Sequence, residues 1–188
     1  MTGVIERLLD EHRNLDGLVR LLDRQPSLIA DPGAANISLL VDAIFYLTRF
    51  PDVSHHALED RIAERLRLIG ALGDEYVDEI ELQHARLARQ GHDLLRDLES
   101  AARNETMPRD VLAANVRLYG ERLRHNMAVE ELTLFPAALR SLDATDWQAI
   151  GPLPGSPAQD PLFQMPVDAR FEQLQREIER EAGRAREP

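Results

Sequence analysis

The chain has 188 residues, 33 acidic against 22 basic, with a formal net charge of -11 and no cysteine. That length fits one globular domain with an extension, stable without disulfides. The missing thiol excludes a disulfide framework, a thiolate zinc site and a cysteine nucleophile, so any metal must be held by imidazole and carboxylate. An acidic surface repels phosphate backbones and anionic lipid, which speaks against nucleic acid and membrane as partners. The N-terminus carries no basic region followed by an apolar run, and no stretch approaches the ~18 apolar residues of a membrane span. The expected location is the cytoplasm.

Strand-like alternation is missing and Leu, Ala, Arg and Glu dominate, so the chain reads as all-α. The first helix is predicted from Thr2 to Arg24, with Ile5, Leu8, Leu15, Val19 and Leu22 on one face, and "RQPSLIADPGAAN" ends it. A second begins near Asn36 or Ser38, carries Leu40, Ile44 and Leu47, meets Pro51 and resumes as "HHALEDRIAERLRLI". Pro51 marks a kink or a fresh start there. After "GALGD" a third runs from Glu75 to Ala102, and a fourth from Pro108 to Leu142, since proline suits a first helical turn. Residues 1–150 are thus expected to form an up-down-up-down four-helix bundle. Residues 151–188 are expected to form a Pro-rich arm and a last amphipathic helix, with Val167, Phe171, Leu174 and Ile178 on one stripe. Such a stripe is costly to leave wet, so it should dock on the bundle, on a second copy in a homodimer or on a partner protein.

The histidines fall on the apolar stripes. His12 lies between Leu8 and Leu15, and His84 interrupts Val77, Ile80, Leu87 and Leu94. In "HHALED" the stripe through Ile62 and Leu66 extends back to Leu58, Glu59 and His55, whereas His56 and Asp60 continue into Arg67 on a more polar side. His55 and Glu59 are therefore the expected inward pair, one turn apart, with His56 and Asp60 supporting them or lying at the surface. In the fourth helix His125 continues a face holding Val111, Ala114 and Leu118, while Glu130 continues into Leu134. Five residues separate the two, about 140° of rotation in a regular helix. A π-bulge between them would bring both inward; Glu121 and Glu131 are the competing assignments. Counted from the connecting turns, the four inward imidazoles stand at similar heights, within about one helical turn or 5 Å. Imidazoles and carboxylates buried together in an apolar core imply a cation, because unpaired buried carboxylates cost several kcal/mol each.

The segments "DEHRNLD", "FPDVSHHALED", "ELQHARLARQG" and "RHNMAVEELTLFPAA" resemble, in order and spacing, the hemerythrin-like family, or HHE cation-binding domain, over about residues 5 to 142. The resemblance implies a four-helix bundle holding two non-haem iron ions, bridged by carboxylates, with His12, His55, Glu59, His84, His125 and Glu130 at the ligand positions. Manganese or zinc would suit the same donors. Oxygen-carrying members have a further histidine one turn after the one matching His84, and here that position is Ala88. This implies an open coordination position, filled by water, a tyrosine or an acid such as Glu81. The expected partner is therefore a small ligand such as O2, NO or hydrogen peroxide, bound by a sensor or turned over in a peroxidase- or catalase-like reaction. Iron handling or storage ranks lower, because ferritin-like bundles use two Glu-x-x-His motifs and this chain offers one inward, Glu81 to His84.

Overall fold

The computed structural model describes residues 2–30, 37–103, 108–151 and 160–184. Among the described residues there is no strand, and the helices build four rods. The first rod is α1 (Thr2–Ala30). The second is α2 (Ile37–Arg49), a π turn (Pro51–His55) and α3 (His56–Leu68) in succession. The third is α4 (Asp74–Ala102). The fourth joins α5 (Arg109–Val129), a second π turn (Glu130–Leu134) and α6 (Phe135–Ser141). α1 packs along α5, α5 along α4, and α4 along α2 and α3, while α2 closes the ring on α1. No helix among the described residues is long and apolar enough to cross a membrane.

Two local outcomes differ from the sequence expectation, and the choice left open at Pro51 is resolved. α1 does not stop at Arg24 but continues through Pro26 to Ala30. The buried Ile29 lies two turns after Leu22 and extends the same apolar stripe, and burying a side chain of that size, worth about 1.5–3 kcal/mol, offsets much of the ~3 kcal/mol that a proline costs inside a helix. The kink at Pro51 is a π turn, closed by the His56 N–H donating to the Pro51 carbonyl. A short helix, α7 (Ala144–Ile150), follows the bundle and lies on α3. Its start is fixed by a reciprocal capping box between Asp143 and Asp146, and Asp146 also pairs with Arg65 of α3 at 2.6 Å. Half of the expected Pro-rich arm, residues 152–159, lies outside the described residues.

The last helix, α8 (Glu172–Arg184), packs on α1 and α2 of its own chain. Phe171 and Leu174 are buried there, and Ile178 Cγ2 comes within 3.0 Å of where a Cβ on Gly17 would stand. The segment leading into α8 is tied down as well. The Tyr46 hydroxyl donates to Asp160 at 2.7 Å, and Arg170 pairs with Asp42 at 2.9 Å while its guanidinium lies 3.4 Å above the Phe45 ring.

The buried apolar residues form two clusters. One holds Ile5, Leu8, Leu58, Ile62, Ile80 and Leu134; the other holds Leu15, Leu47, Leu87, Leu123 and Met127. Along every rod the boundary between them falls at a histidine or glutamate: His12 between Leu8 and Leu15, His55 between Leu47 and Leu58, His84 between Ile80 and Leu87, Glu130 between Met127 and Leu134. A polar layer therefore crosses the core at one level.

Close helix approach in the larger cluster depends on Gly91. A Cβ there would stand 2.6 Å from Thr48 Cγ2 and 3.2 Å from the Tyr119 ring, and Thr48 is held by its hydroxyl donating to the Ile44 carbonyl at 2.9 Å. Replacing glycine by alanine gains about 1 kcal/mol of helix propensity, whereas overpacking costs about 1–3 kcal/mol. Gly91→Ala is expected to lower stability by about 1 kcal/mol in urea unfolding; a stability equal to or above the parent chain would show that α2 and α4 are not pressed together at this point.

Candidate metal centre

Both π turns sit at a Phe-Pro pair, "FPDVS" and "LTLFP", and both deliver a site residue. A proline has no N–H to give and its ring crowds the carbonyl four residues back, so a wider turn relieves a rod that must otherwise stay continuous. The first turn ends on His55 and hands over to His56. The second begins at Glu130, its Phe135 N–H donating to the Glu130 carbonyl.

His12, His55, His56, Glu59, His84 and Glu130 are all buried, with Glu59 and Glu130 at 0% exposure. Glu59 Oε1 faces His12 Nε2 at 3.3 Å and His55 Nε2 at 3.1 Å, and its Oε2 faces His84 Nε2 at 3.7 Å. Glu130 is arranged in the same sense, Oε2 facing His12 Nε2 at 3.4 Å and Oε1 facing His84 Nε2 at 2.8 Å. Each carboxylate thus offers one oxygen to either side of the layer. Donor atoms of His12, His55 and Glu59 all lie within 4.8 Å of one another, as do those of His56, Glu59 and His84. Glu59 belongs to both groups.

The outward nitrogens of three histidines are held by acids nearer the surface. His12 Nδ1 meets Glu131 at 2.9 Å, His55 Nδ1 meets Glu11 at 2.7 Å, and His84 Nδ1 meets Asp60 at 2.7 Å. A proton on each Nδ1 is thereby fixed toward a carboxylate, which orients the ring and leaves Nε2 for the interior. Ring packing adds restraint: His12 lies 4.9 Å from the His55 ring and 5.2 Å from Phe135, and His56 stacks on His84 at 4.3 Å.

Charge in this layer is strongly coupled. Burial pulls His12 down, but Glu130 and Glu59 outweigh it and raise its pKa to about 10. Burial likewise works against His55, which Glu59 and Glu11 raise to about 9, and against His84, which Asp60 and Glu130 raise to about 10. Burial would raise Glu59, yet the facing His55 and His12 hold it well below the usual carboxylate range. The layer demands positive charge, and protons meet the demand when nothing else does. His12 Nε2, both Glu59 oxygens and Glu130 Oε2 are buried atoms without a hydrogen-bond partner. Imidazole and carboxylate donors converging in this way, with no thiolate, fit iron, manganese or zinc.

Of the residues singled out from sequence, the structure brings together His12, His55, Glu59, His84 and Glu130 and leaves His125 on the exposed face of α5. The cause is the position of the wide turn, which begins at Glu130 instead of lying between His125 and Glu130. α5 is regular up to Val129, and the residue one turn before Glu130 is Asn126, 1% exposed, whose Nδ2 donates to Glu130 Oε1 at 2.7 Å. Glu121 is exposed beside Arg124, and Glu81 is exposed beside Arg67. Glu131 supports His12 from outside, as Asp60 supports His84. His56, set aside as a more polar position, is 5% exposed and part of the cluster. The sequence does hold a signal for Asn126: counting back from Glu130 by four and three gives Asn126, Leu123, Tyr119, Val116 and Leu112, all buried. Val111, Ala114 and Leu118, the face to which His125 was assigned, are exposed.

A helical bundle carrying a buried His/Glu layer of this kind is a metal-binding bundle. The chain belongs to the hemerythrin HHE cation-binding domain family, whose model matches residues 3–138. Comparison with the curated proteins and with the solved structures gives no match.

Two predictions follow from the geometry. Because Glu59 serves both donor groups, Glu59→Ala is expected to abolish metal uptake, while His125→Ala binds as the parent chain does; metal analysis of the purified variants checks both, and loss of metal in His125→Ala would contradict the placement of that residue. Because the imidazoles hold protons up to about pH 9–10 without metal, uptake near neutral pH must displace them. Adding metal to the metal-free protein in weak buffer should acidify the solution, and binding should tighten as pH rises; an unchanged pH would contradict it.

Proposed function

We propose that this chain is a non-haem diiron protein that binds or reacts with a small ligand, O2, NO or hydrogen peroxide, as a sensor or in defence against oxidative and nitrosative stress. The observation that carries the reading is the division of oxygens at Glu59 and Glu130, each presenting one oxygen toward His12 and one toward His84. A carboxylate so placed suits two cations better than one. His12 and His55 would serve one ion, His56 and His84 the other, and Glu59 and Glu130 both. In this assignment His56 takes the role the family resemblance gave to His125.

Two imidazoles and two shared carboxylates supply four donor atoms per ion, so positions remain open for an exogenous ligand. Iron held there would supply those open positions and a change of oxidation state suited to O2, NO or peroxide. The chain's own residues keep the centre in place. Glu131, Glu11 and Asp60 hold the rings of His12, His55 and His84 by their outer nitrogens, and Phe135 covers His12 on the apolar side. Asp60, half-buried, connects the His84 side to a surface cavity of about 420 Å³ lined also by Arg61, Glu64, Arg65, Glu81 and Ile150.

The test is metal quantification joined to absorption spectra before and after addition of NO and hydrogen peroxide. About two irons per chain and a spectral change with either ligand are expected, and reversibility separates binding from sustained, enzyme-like turnover. His56→Ala is expected to retain about one ion per chain. Full loading of that variant would remove His56 from the centre, and a parent chain without metal or without spectral response would overturn the reading.

A further inference from the structure

Asn126 is the polar residue at the centre that the metal assignment leaves unexplained. Its Nδ2 donates to Glu130 Oε1 at 2.7 Å and points toward Gln83 Oε1 at 3.4 Å. Gln83 is itself oriented, its Nε2 donating to Glu79 at 3.0 Å. Both groups facing Nδ2 are acceptors, so turning the amide over would set oxygen against oxygen, and its orientation is fixed. Asn126 Oδ1 is consequently left buried with no hydrogen-bond partner, a costly condition for a neutral acceptor. An amide oxygen and nitrogen lie about 2.3 Å apart, which places Oδ1 within about 5 Å of Glu130 Oε1, the carboxylate oxygen that faces His84.

Acceptors of two kinds meet here. The carboxylate oxygens bind cations more strongly than the uncharged amide oxygen does, and a donor hydrogen is the partner that satisfies the amide oxygen best. None of the protein's described groups provides one. We propose that Asn126 selects, at the His84 side of the centre, small oxygen ligands that carry a hydrogen, with hydrogen peroxide and hydroxide as the class, over ligands that carry none. The Nδ2 end keeps Glu130 aligned while the Oδ1 end accepts the ligand's O–H. The inference rests on reading the site as a metal centre open to small ligands.

The experiment compares the metal-loaded parent chain with Asn126→Leu, which keeps the volume and removes both polar ends. Absorption titrations with hydrogen peroxide and with azide, a ligand without hydrogen, give the concentration of each that produces half of the initial spectral change. The ratio of the two is expected to move about tenfold in favour of azide, the scale of one lost hydrogen bond. An unchanged ratio would overturn the proposal. If Asn126→Leu fails to load metal, the same ratio is read in Asn126→Ala, and failure of both to load would also overturn it, since Asn126 would then serve Glu130 alone. A parent chain that responds to neither ligand defeats the metal-centre reading instead, so the two failures are distinguishable.

Discussion

Two carboxylates without solvent exposure, Glu59 and Glu130, set the terms for the rest of the molecule. In an apolar interior an ionised carboxylate is tolerable only beside positive charge or strong donors, and the penalty for leaving it alone exceeds what a single packing contact returns. The helices answer with imidazoles drawn from three rods, His12 from α1, His55 and His56 from the second rod and His84 from α4. The two apolar clusters, one on each side of this layer, hold the rods in the register that makes the meeting possible. Packing and electrostatics therefore depend on each other: the apolar clusters position the layer, and the layer is stable only when a cation or protons fill it.

Outside the layer a ring of acids completes the arrangement. Glu11, Glu131 and Asp60 are 36%, 45% and 39% exposed, so their own charge is largely solvated while their oxygens fix the outer nitrogens of the buried rings. This is an inexpensive way to orient a ligand histidine, since a half-exposed carboxylate avoids the desolvation cost that Glu59 bears. The π turns contribute in a comparable way. They allow a rod to pass a proline without ending, so a site residue stays continuous with the helical stripe that positions it. The C-terminal segment is tied to the second rod, since Tyr46 of α2, five residues before the π turn that ends on His55, donates to Asp160.

Much of this was legible in the sequence, because helical periodicity is a strong signal. The rods and the inward direction of His12, His84 and Glu59 follow from counting by threes and fours along apolar stripes, and the common level of His55 and His84 from counting outward from the turn between their helices. The family-specific "HH..ED" and "H....EE..LFP" segments carry the resemblance that the family match over residues 3–138 bears out, although the histidine that opens the second, His125, is exposed. The fourth rod was harder, because α5 carries apolar residues on two faces. Val111 and Leu118 mark a stripe as well as Leu112, Val116, Tyr119 and Leu123 do, yet only the second set is buried. Following the first stripe carried His125 inward on paper and required a wide turn before Glu130. In the folded chain that turn comes after it, and Asn126 takes the inward place. His56 was obscured for a different reason: two consecutive helical residues point about 100° apart and are usually divided between core and surface. Here the interior arc at the polar layer is wide enough for both, His55 facing His12 and His56 facing His84. Pro26 hides the true end of α1 because burial of Ile29 offsets much of its cost.

The central proposal is that Glu59 and Glu130 would stand between two cations instead of around one. X-ray absorption of the iron-loaded protein at the iron edge tests it most directly. The account predicts a metal–metal scattering distance below about 4 Å, as in carboxylate-bridged pairs, with nitrogen and oxygen donors and about two imidazoles per iron. A spectrum with no metal–metal vector and a single ion per chain would contradict it.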